Sequence, residues 1–412
     1  EEIRLMKRIA GYDTPLVVAT LTLVLISIYL LLTAIVTQDG TLDQSYGFRQ
    51  IVFAVIGVVL AVALSHVSVH KLQQLWLPIY LGCCALISTV FVLGSVIRGS
   101  RSWIELGPVN VQPSELGKIL MLIGVAGFIT TRAREIRSTR AFLTTLGLVA
   151  IPALMVFEQP DFGTAHIYGY MSLALLFFAG ARWTHFAALF GAGVAVIVLV
   201  LGVLPALGVE VLHDYQKQRI VGFMDPEADP RGANYQAIQA KIAIGSGQLL
   251  GQPAEEASQV KRAFLPEPQT DYIFATLVER HGFIGGAFVL MVYLLLLSRI
   301  LHAVAVAPTL NGRLISGGIG MMFLAQILTN IGMVIGIMPI TGVPLPLLSY
   351  GGSGLLASLL GVGLVAGILR DAERADVRYA RRVGPSIAAA RRRALRSRSA
   401  AGVPSGTTRG ML

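Results

Sequence analysis

The chain has 412 residues, 54% of them hydrophobic and only 14% charged, and its mean hydropathy is +0.70. Soluble domains carry roughly 25% charged residues, so composition excludes an ordinary water-soluble fold and indicates a membrane protein. The net charge of +10 does not point to nucleic acid, because 11 of the 33 basic residues lie in a terminal tail starting at Arg370. On a membrane protein such a tail reads as a cytoplasmic segment facing anionic lipid.

A run of about 20 apolar residues crosses the hydrocarbon core as a helix that satisfies its own backbone groups. The first run, 14–36, follows Arg4, Lys7 and Arg8. It is long for a signal-peptide core and lacks a convincing cleavage site, so a retained anchor is expected. Further spans are expected near 50–68, 75–97, 115–130, 141–158, 164–180, 183–205, 281–301, 313–337 and 352–370. The expected fold is therefore an all-α polytopic integral membrane protein of about ten transmembrane helices. Residues 1–370 would form the membrane domain, and 371–412 a basic cytoplasmic tail, partly disordered past 384.

Orientation follows from Lys and Arg. With both termini in the cytoplasm, 22 of the 33 basic residues lie inside, and seven of the other 11 sit in one long loop, 206–280, where the rule is weak. Loops 98–115, 159–163 and 338–351 share the outer side with it, as do 16 of the 23 acidic residues. A loop of about 75 residues is expected to contain short helices. In 233–245, Tyr235, Ile238 and Ile242 recur at helical spacing opposite Gln236, Ala240 and Lys241. That pattern suits a helix lying on the membrane surface or one packed on the top of the bundle.

Cys83 and Cys84 are adjacent in an apolar run and read as small packed residues, with no disulfide framework. His66 and His70, without Cys or carboxylate partners at ligand spacing, do not suggest a metal site.

Four outer segments carry motifs. Arg-Ser-Trp-Ile-Glu-Leu-Gly-Pro at 101–108 runs into Gln-Pro-Ser-Glu at 112–115 and Lys118. Gln-Pro-Asp-Phe-Gly-Thr-Ala follows at 159–165. The long loop holds Tyr-Gln-Lys-Gln-Arg at 215–219, Asp225 and Asp229 before prolines, and Phe-Leu-Pro-Glu-Pro-Gln-Thr-Asp-Tyr-Ile-Phe-Ala at 264–275. The last runs from Asn-Ile-Gly-Met at 330–333 through Pro-Ile-Thr-Gly-Val-Pro-Leu-Pro at 339–346 to Ser-Tyr-Gly-Gly-Ser at 349–353. In order and spacing, over roughly residues 45–370, these resemble the SEDS (shape, elongation, division, sporulation) family of peptidoglycan polymerases, and its elongation member most.

The resemblance implies a peptidoglycan glycosyltransferase that polymerises lipid II outside the cytoplasmic membrane. It would work with a class B penicillin-binding protein of the elongation machinery. Such a reaction needs a base for the acceptor hydroxyl, positive groups or a metal for the departing pyrophosphate, and an apolar surface for polyprenyl chains. Asp271 fills the family's catalytic aspartate position; the bland alternative is that Thr270 or Asp271 caps the helix opening near Tyr272. Glu267 would tune Asp271 or share a divalent cation with it, Mg or Mn, or is an ordinary loop carboxylate; no organic cofactor is expected.

Lys118, three residues after Glu115, either contacts the lipid pyrophosphate or forms a local ion pair. Arg101 also suits pyrophosphate, and Trp103 suits substrate or an interfacial anchor. Asp161 is a substrate contact or a helix cap, and Lys241 is a further substrate candidate. The run containing Ser349, Gly351, Gly352 and Ser353 either offers backbone N–H groups to an anion or makes a tight turn.

Two stretches depart from the family pattern. Gly-Ser-Gly-Gln-Leu-Leu-Gly-Gln-Pro at 245–253 lacks the usual lysine and one glycine, and Glu279-Arg280-His281 replaces paired glutamates. Two rival functions remain at this stage. A lipid II flippase needs a polar path through the membrane, yet spans 14–36, 75–97 and 141–158 carry no mid-span charge. A non-catalytic scaffold activating the transpeptidase would not need Asp271.

Overall fold

A computed structural model describes residues 8–9, 12–36, 41–97, 100–107, 109–209, 235–253, 265 and 267–383. Ten of its helices are long and apolar enough to cross a membrane, so the chain is a multi-pass membrane protein. They are α1 (Thr14–Thr33), α2 (Ser45–Ser65), α4 (Trp76–Leu93), α5 (Pro113–Thr131) and α6 (Thr139–Phe157). The second half holds α7 (Phe162–Ala179), α8 (Trp183–Ala206), α10 (Ile273–Val306), α11 (Leu310–Ile335) and α12 (Gly352–Val383). Two shorter helices, α3 (Val69–Gln74) and α9 (Tyr235–Ser246), lie between them. All ten expected spans are found.

Burial ranks the helices. α5 and α12 are enclosed on most sides (78% and 83% buried over their apolar windows), whereas α8 has no buried residue and touches its neighbours α6 and α7 only through side chains near its start, such as Trp183 on Phe177 and Phe186 on Phe142. α12 runs along α2 so closely that a Cβ on Gly363 would lie 2.5 Å from the Ala61 carbonyl oxygen, and one on Gly367 2.7 Å from that of Ser65. Small residues allow this backbone approach, the usual means of packing helices in lipid. Around this axis α11 packs on α7 and α10, α4 on α5, and α1 on α2 and α10.

Two short β elements accompany the helices. A short hairpin, β1 (Arg8–Ile9) with β2 (Tyr12–Asp13), precedes α1, and Asp13 caps that helix while binding Arg299 of α10 at 2.7 Å. The expected polar loop 98–115 is a three-stranded antiparallel meander of β3 (Ser95–Ile97), β4 (Ser100–Leu106) and β5 (Val109–Val111). Trp103 pairs with Ser95 and Leu106 with Val109, and Gly107 turns the second hairpin at φ +65°, a left-handed value that glycine adopts at little cost.

α9 also corrects the stripe expected from the sequence. Its buried residues are Ala240 and Ala243, which face α10 and α11, while Ile242 is exposed. The helix is thus packed on the bundle through its small face.

α10 is broken at Gly282, where φ is +63°. The segment before it supplies the missing partners: Phe283 N donates to Gln248 O (2.8 Å), Ile284 N to Leu249 O (3.2 Å), and Gln252 N to Glu279 O (2.8 Å). The two stretches that depart from the family pattern therefore meet at this joint. The 215–229 motifs, Glu255, Glu256, Lys261, Arg262 and the tail past 384 lie outside the described residues.

Candidate active site

Most of the candidate side chains collect at one end of the bundle, where α5, α7, α10 and α12 begin and α11 ends. Glu115 and Lys118 face inward from the first turns of α5, joined at 2.7 Å with side chains 4% and 1% exposed. The local ion pair anticipated from the sequence is present. Asp161 caps α7 through the Thr164 amide (2.9 Å) and also accepts from Gln112 Nε2 at 2.7 Å. Burial chiefly pushes its carboxyl above the usual carboxylate range; Thr164 hydrogen bonds and the Lys118 charge pull it down, and the Glu115 charge pushes it up. Asp161, Glu115 and Lys118 therefore form one electrostatic group. Ser353 accepts from the Gln112 amide at 2.9 Å, which ties the start of α12 to it.

Asp271 stands in the turn before α10. The residue at the cap position is Tyr272, whose side chain makes no cap bond. A Cβ on Gly342 would lie 3.6 Å from Asp271 Oδ2, so the carboxylate borders the 341–343 turn. The adjoining Thr341 carbonyl packs on Gly163, two residues past Asp161, at 2.5 Å from its Cβ position. This turn links the candidate base to the Asp161–Glu115–Lys118 group. Glu267 has φ +52°, a strained value for a non-glycine residue, and its Oε2 accepts from Gln269 Nε2 at 3.0 Å.

Backbone around Asp271 is held by residues that sequence reading did not assign to it. Asn330 Nδ2 donates to the carbonyls of Asp271 and Val343, both at 2.8 Å. Ser349 Oγ donates to the Thr270 carbonyl at 2.5 Å and accepts from the Leu345 amide at 2.9 Å. The Tyr350 amide donates to the Gln269 carbonyl at 2.8 Å. Ser349 and Tyr350 are thus engaged within the protein, and Gly352 packs on the Phe53 ring of α2. Gly351 lies between them in the turn that opens α12.

Three candidates lie apart from this group among the described contacts. Arg101 is exposed on β4 and its Nε donates to the Gly94 carbonyl at 3.0 Å. Trp103 is half-buried on the same strand. Lys241 places its ammonium end against Gly336, the left-handed residue closing α11, where a cation meets the negative end of the helix dipole. No three His, Cys, Asp or Glu side chains converge as a metal site among the described residues. Thr341 Oγ1, beside Gly342, is buried without a hydrogen-bond partner among the described residues.

A family profile described as cell cycle protein, covering FtsW, RodA and SpoVE, matches residues 13–374. The peptidoglycan glycosyltransferase MrdB of Escherichia coli K12 is 38% identical over 352 residues, spanning 85% of this chain and 92% of that one. A solved chain from a peptidoglycan synthase complex that coordinates polymerization and crosslinking superposes with TM-score 0.72 at 31% identity, covering 88% and 98%. The rod shape determining protein RodA of Thermus thermophilus gives 0.64 at 28% identity, covering 87% and 97%.

Proposed function

The chain belongs to the FtsW, RodA and SpoVE family of cell cycle proteins, and from that premise we infer that it is a peptidoglycan glycosyltransferase of the elongation type. Its substrate is lipid II, the undecaprenyl-pyrophosphate-linked disaccharide peptide, used on the outer face of the bacterial cytoplasmic membrane as donor and acceptor. The observation that carries the reading is the position of Asp271, bordering the turn that connects it to Asp161, Glu115 and Lys118.

In this reaction Asp271 takes the proton of the acceptor hydroxyl as its oxygen attacks the donor's anomeric carbon. The bond from that carbon to the pyrophosphate oxygen breaks, and the pyrophosphate leaves with the electron pair on the opposite face, inverting the centre. Lys118 is the candidate to offset that charge. A divalent cation would be held by Asp271 and Glu267 with the substrate's own phosphates, since Mg²⁺ commonly uses one or two carboxylates plus phosphate oxygens. It would supply further charge stabilisation to the leaving group.

The partner is a class B penicillin-binding protein that crosslinks the product, in keeping with the synthase complex to which the fold is similar. The test is lipid II polymerisation by the purified chain, with and without that partner and a chelator. Asn matches Asp in size, and a positioned carboxylate contributes about 10²–10⁴-fold. Asp271→Asn should abolish synthesis while leaving thermal stability and partner binding near wild type; polymerisation at a near-native rate would remove Asp271 as the base.

A further inference from the structure

We propose that Asn330 and Ser349 are positioning residues for Asp271, an inference that rests on the base role assigned above. Three successive carbonyls, those of Gln269, Thr270 and Asp271, are each bound by a donor from beyond residue 329: the Tyr350 amide, the Ser349 hydroxyl and the Asn330 carboxamide. The turn precedes α10, and beside its own Thr270 N to Glu267 O bond these three donors hold its carbonyls from α11 and the turn that opens α12.

The chemistry of each residue suits the task. Asn330 is fully buried and both its bonds are donations, to Asp271 O and Val343 O, while its Oδ1 has no partner among the described residues. The residue is used for its donors. By bridging these two carbonyls it sets the spacing between Asp271 and the 341–343 turn that its carboxylate borders. Ser349 uses its hydroxyl both ways, giving to Thr270 O and receiving from Leu345 N. Its own carbonyl is held in turn by Gln50 Nε2 of α2, at 3.2 Å, and Gln50 also donates to Ser27 of α1. A chain of hydrogen bonds therefore runs from α1 and α2 through the 345–350 turn to the residue before Asp271. A carboxylate anchored this way stands at a fixed place relative to the incoming hydroxyl, and displacement of about 1 Å is enough to cost roughly 10²-fold in rate.

The experiment measures kcat and KM for lipid II with the full chain and its partner, for Asn330→Leu, Ser349→Ala, Ser349→Thr and Asp271→Asn. Leucine keeps the size of Asn330 without its donors, and threonine keeps the hydroxyl of Ser349. The expected result is a fall in kcat of about 10²-fold for Asn330→Leu and Ser349→Ala with KM within about twofold, as for an interaction realised in the transition state. Ser349→Thr should remain within about threefold of wild type, which a general loss of packing would not grant. A loss confined to KM would make the two residues substrate contacts and overturn the proposal, as would equal loss in Ser349→Ala and Ser349→Thr. If Asp271→Asn is inactive while Asn330→Leu keeps full kcat, the positioning role alone falls. If Asp271→Asn stays active, the base assignment falls and the proposal with it.

Discussion

Replacing Lys118 by methionine tests whether the buried pair in α5 is structural, catalytic or both. The ammonium and the Glu115 carboxylate are 2.7 Å apart with side chains 1% and 4% exposed, so neither has water to fall back on. Removing one member of a buried ion pair typically costs about 3–5 kcal/mol, because the other charge is left unpaired. Here the remaining carboxylate also shares its surroundings with Asp161, a second acidic group. Lys118→Met is therefore expected at the upper part of that range, a fall of about three to four powers of ten in the folded-to-unfolded ratio. Adding Glu115→Gln removes the stranded charge. Since buried pairs are often replaced neutrally by uncharged groups of similar volume, the double variant should recover to within about 1 kcal/mol of wild type. Denaturant or thermal unfolding in mild detergent, read by loss of the monodisperse species, orders the three proteins. Polymerisation of lipid II by the double variant then separates the roles: a stable, inactive protein means that the leaving pyrophosphate needs the Lys118 charge. Wild-type stability in Lys118→Met alone, or a double variant as unstable as the single, would refute the reasoning.

Three further outcomes are expected. The distribution of Lys and Arg predicts both termini inside, in which case cysteine labelling of intact cells should reach position 100 and not 136; reagent reaching 136 would invert the assignment of the site to the outer face. Gly363→Ala puts a methyl 2.5 Å from the Ala61 carbonyl oxygen and should cost about 1–3 kcal/mol by forcing α2 from α12, seen as a lower melting temperature. Because burial raises the Asp161 carboxyl, its contribution to stability is complete below the unfolded value of about 3.9 and is lost as pH rises through the folded value. Asp161→Asn, which preserves the cap, should flatten the fall in melting temperature above pH 4; an unchanged slope would place its source elsewhere.

The spans were legible because long apolar runs have few alternatives in a chain this poor in charge. Their ends were less so. α2 begins at Ser45 and buries Gln50 completely, and α10 begins at Ile273, ahead of the expected 281, through about two turns that hold the buried Glu279. Hydropathy cannot register a polar residue whose partner is protein. α12 continues beyond 370 because Arg, Glu and Ala are good helix formers whether or not lipid surrounds them. The meander was hidden by its polar content, although Trp103, Glu105 and Gly107 around the second hairpin carry the alternation and the turn residue of strands.

Of the site, Asp271, Asp161, Glu115 and Lys118 came from the resemblance of their motifs to those of the family, and three of the four form the electrostatic group seen in the fold. Asn330 and Ser349 stand in the same motifs, Ser349 as a candidate anion site, but their hold on the turn at Asp271 was not legible, for a physical reason. They act 59 and 79 residues away from their partners and bind backbone carbonyls, which every residue possesses, so the chain carries no local pattern for the contact.

The joint at Gly282 makes one structural unit of two stretches that lie apart in the sequence. Residues 247–252 and 279–284 complete one another's hydrogen bonding, and a side chain at 282 would run into the Leu249 carbonyl and the Gly251 amide. The bonds are made by backbone groups, so they hold whatever side chains either stretch carries. The position that cannot change without parting the two is the glycine itself.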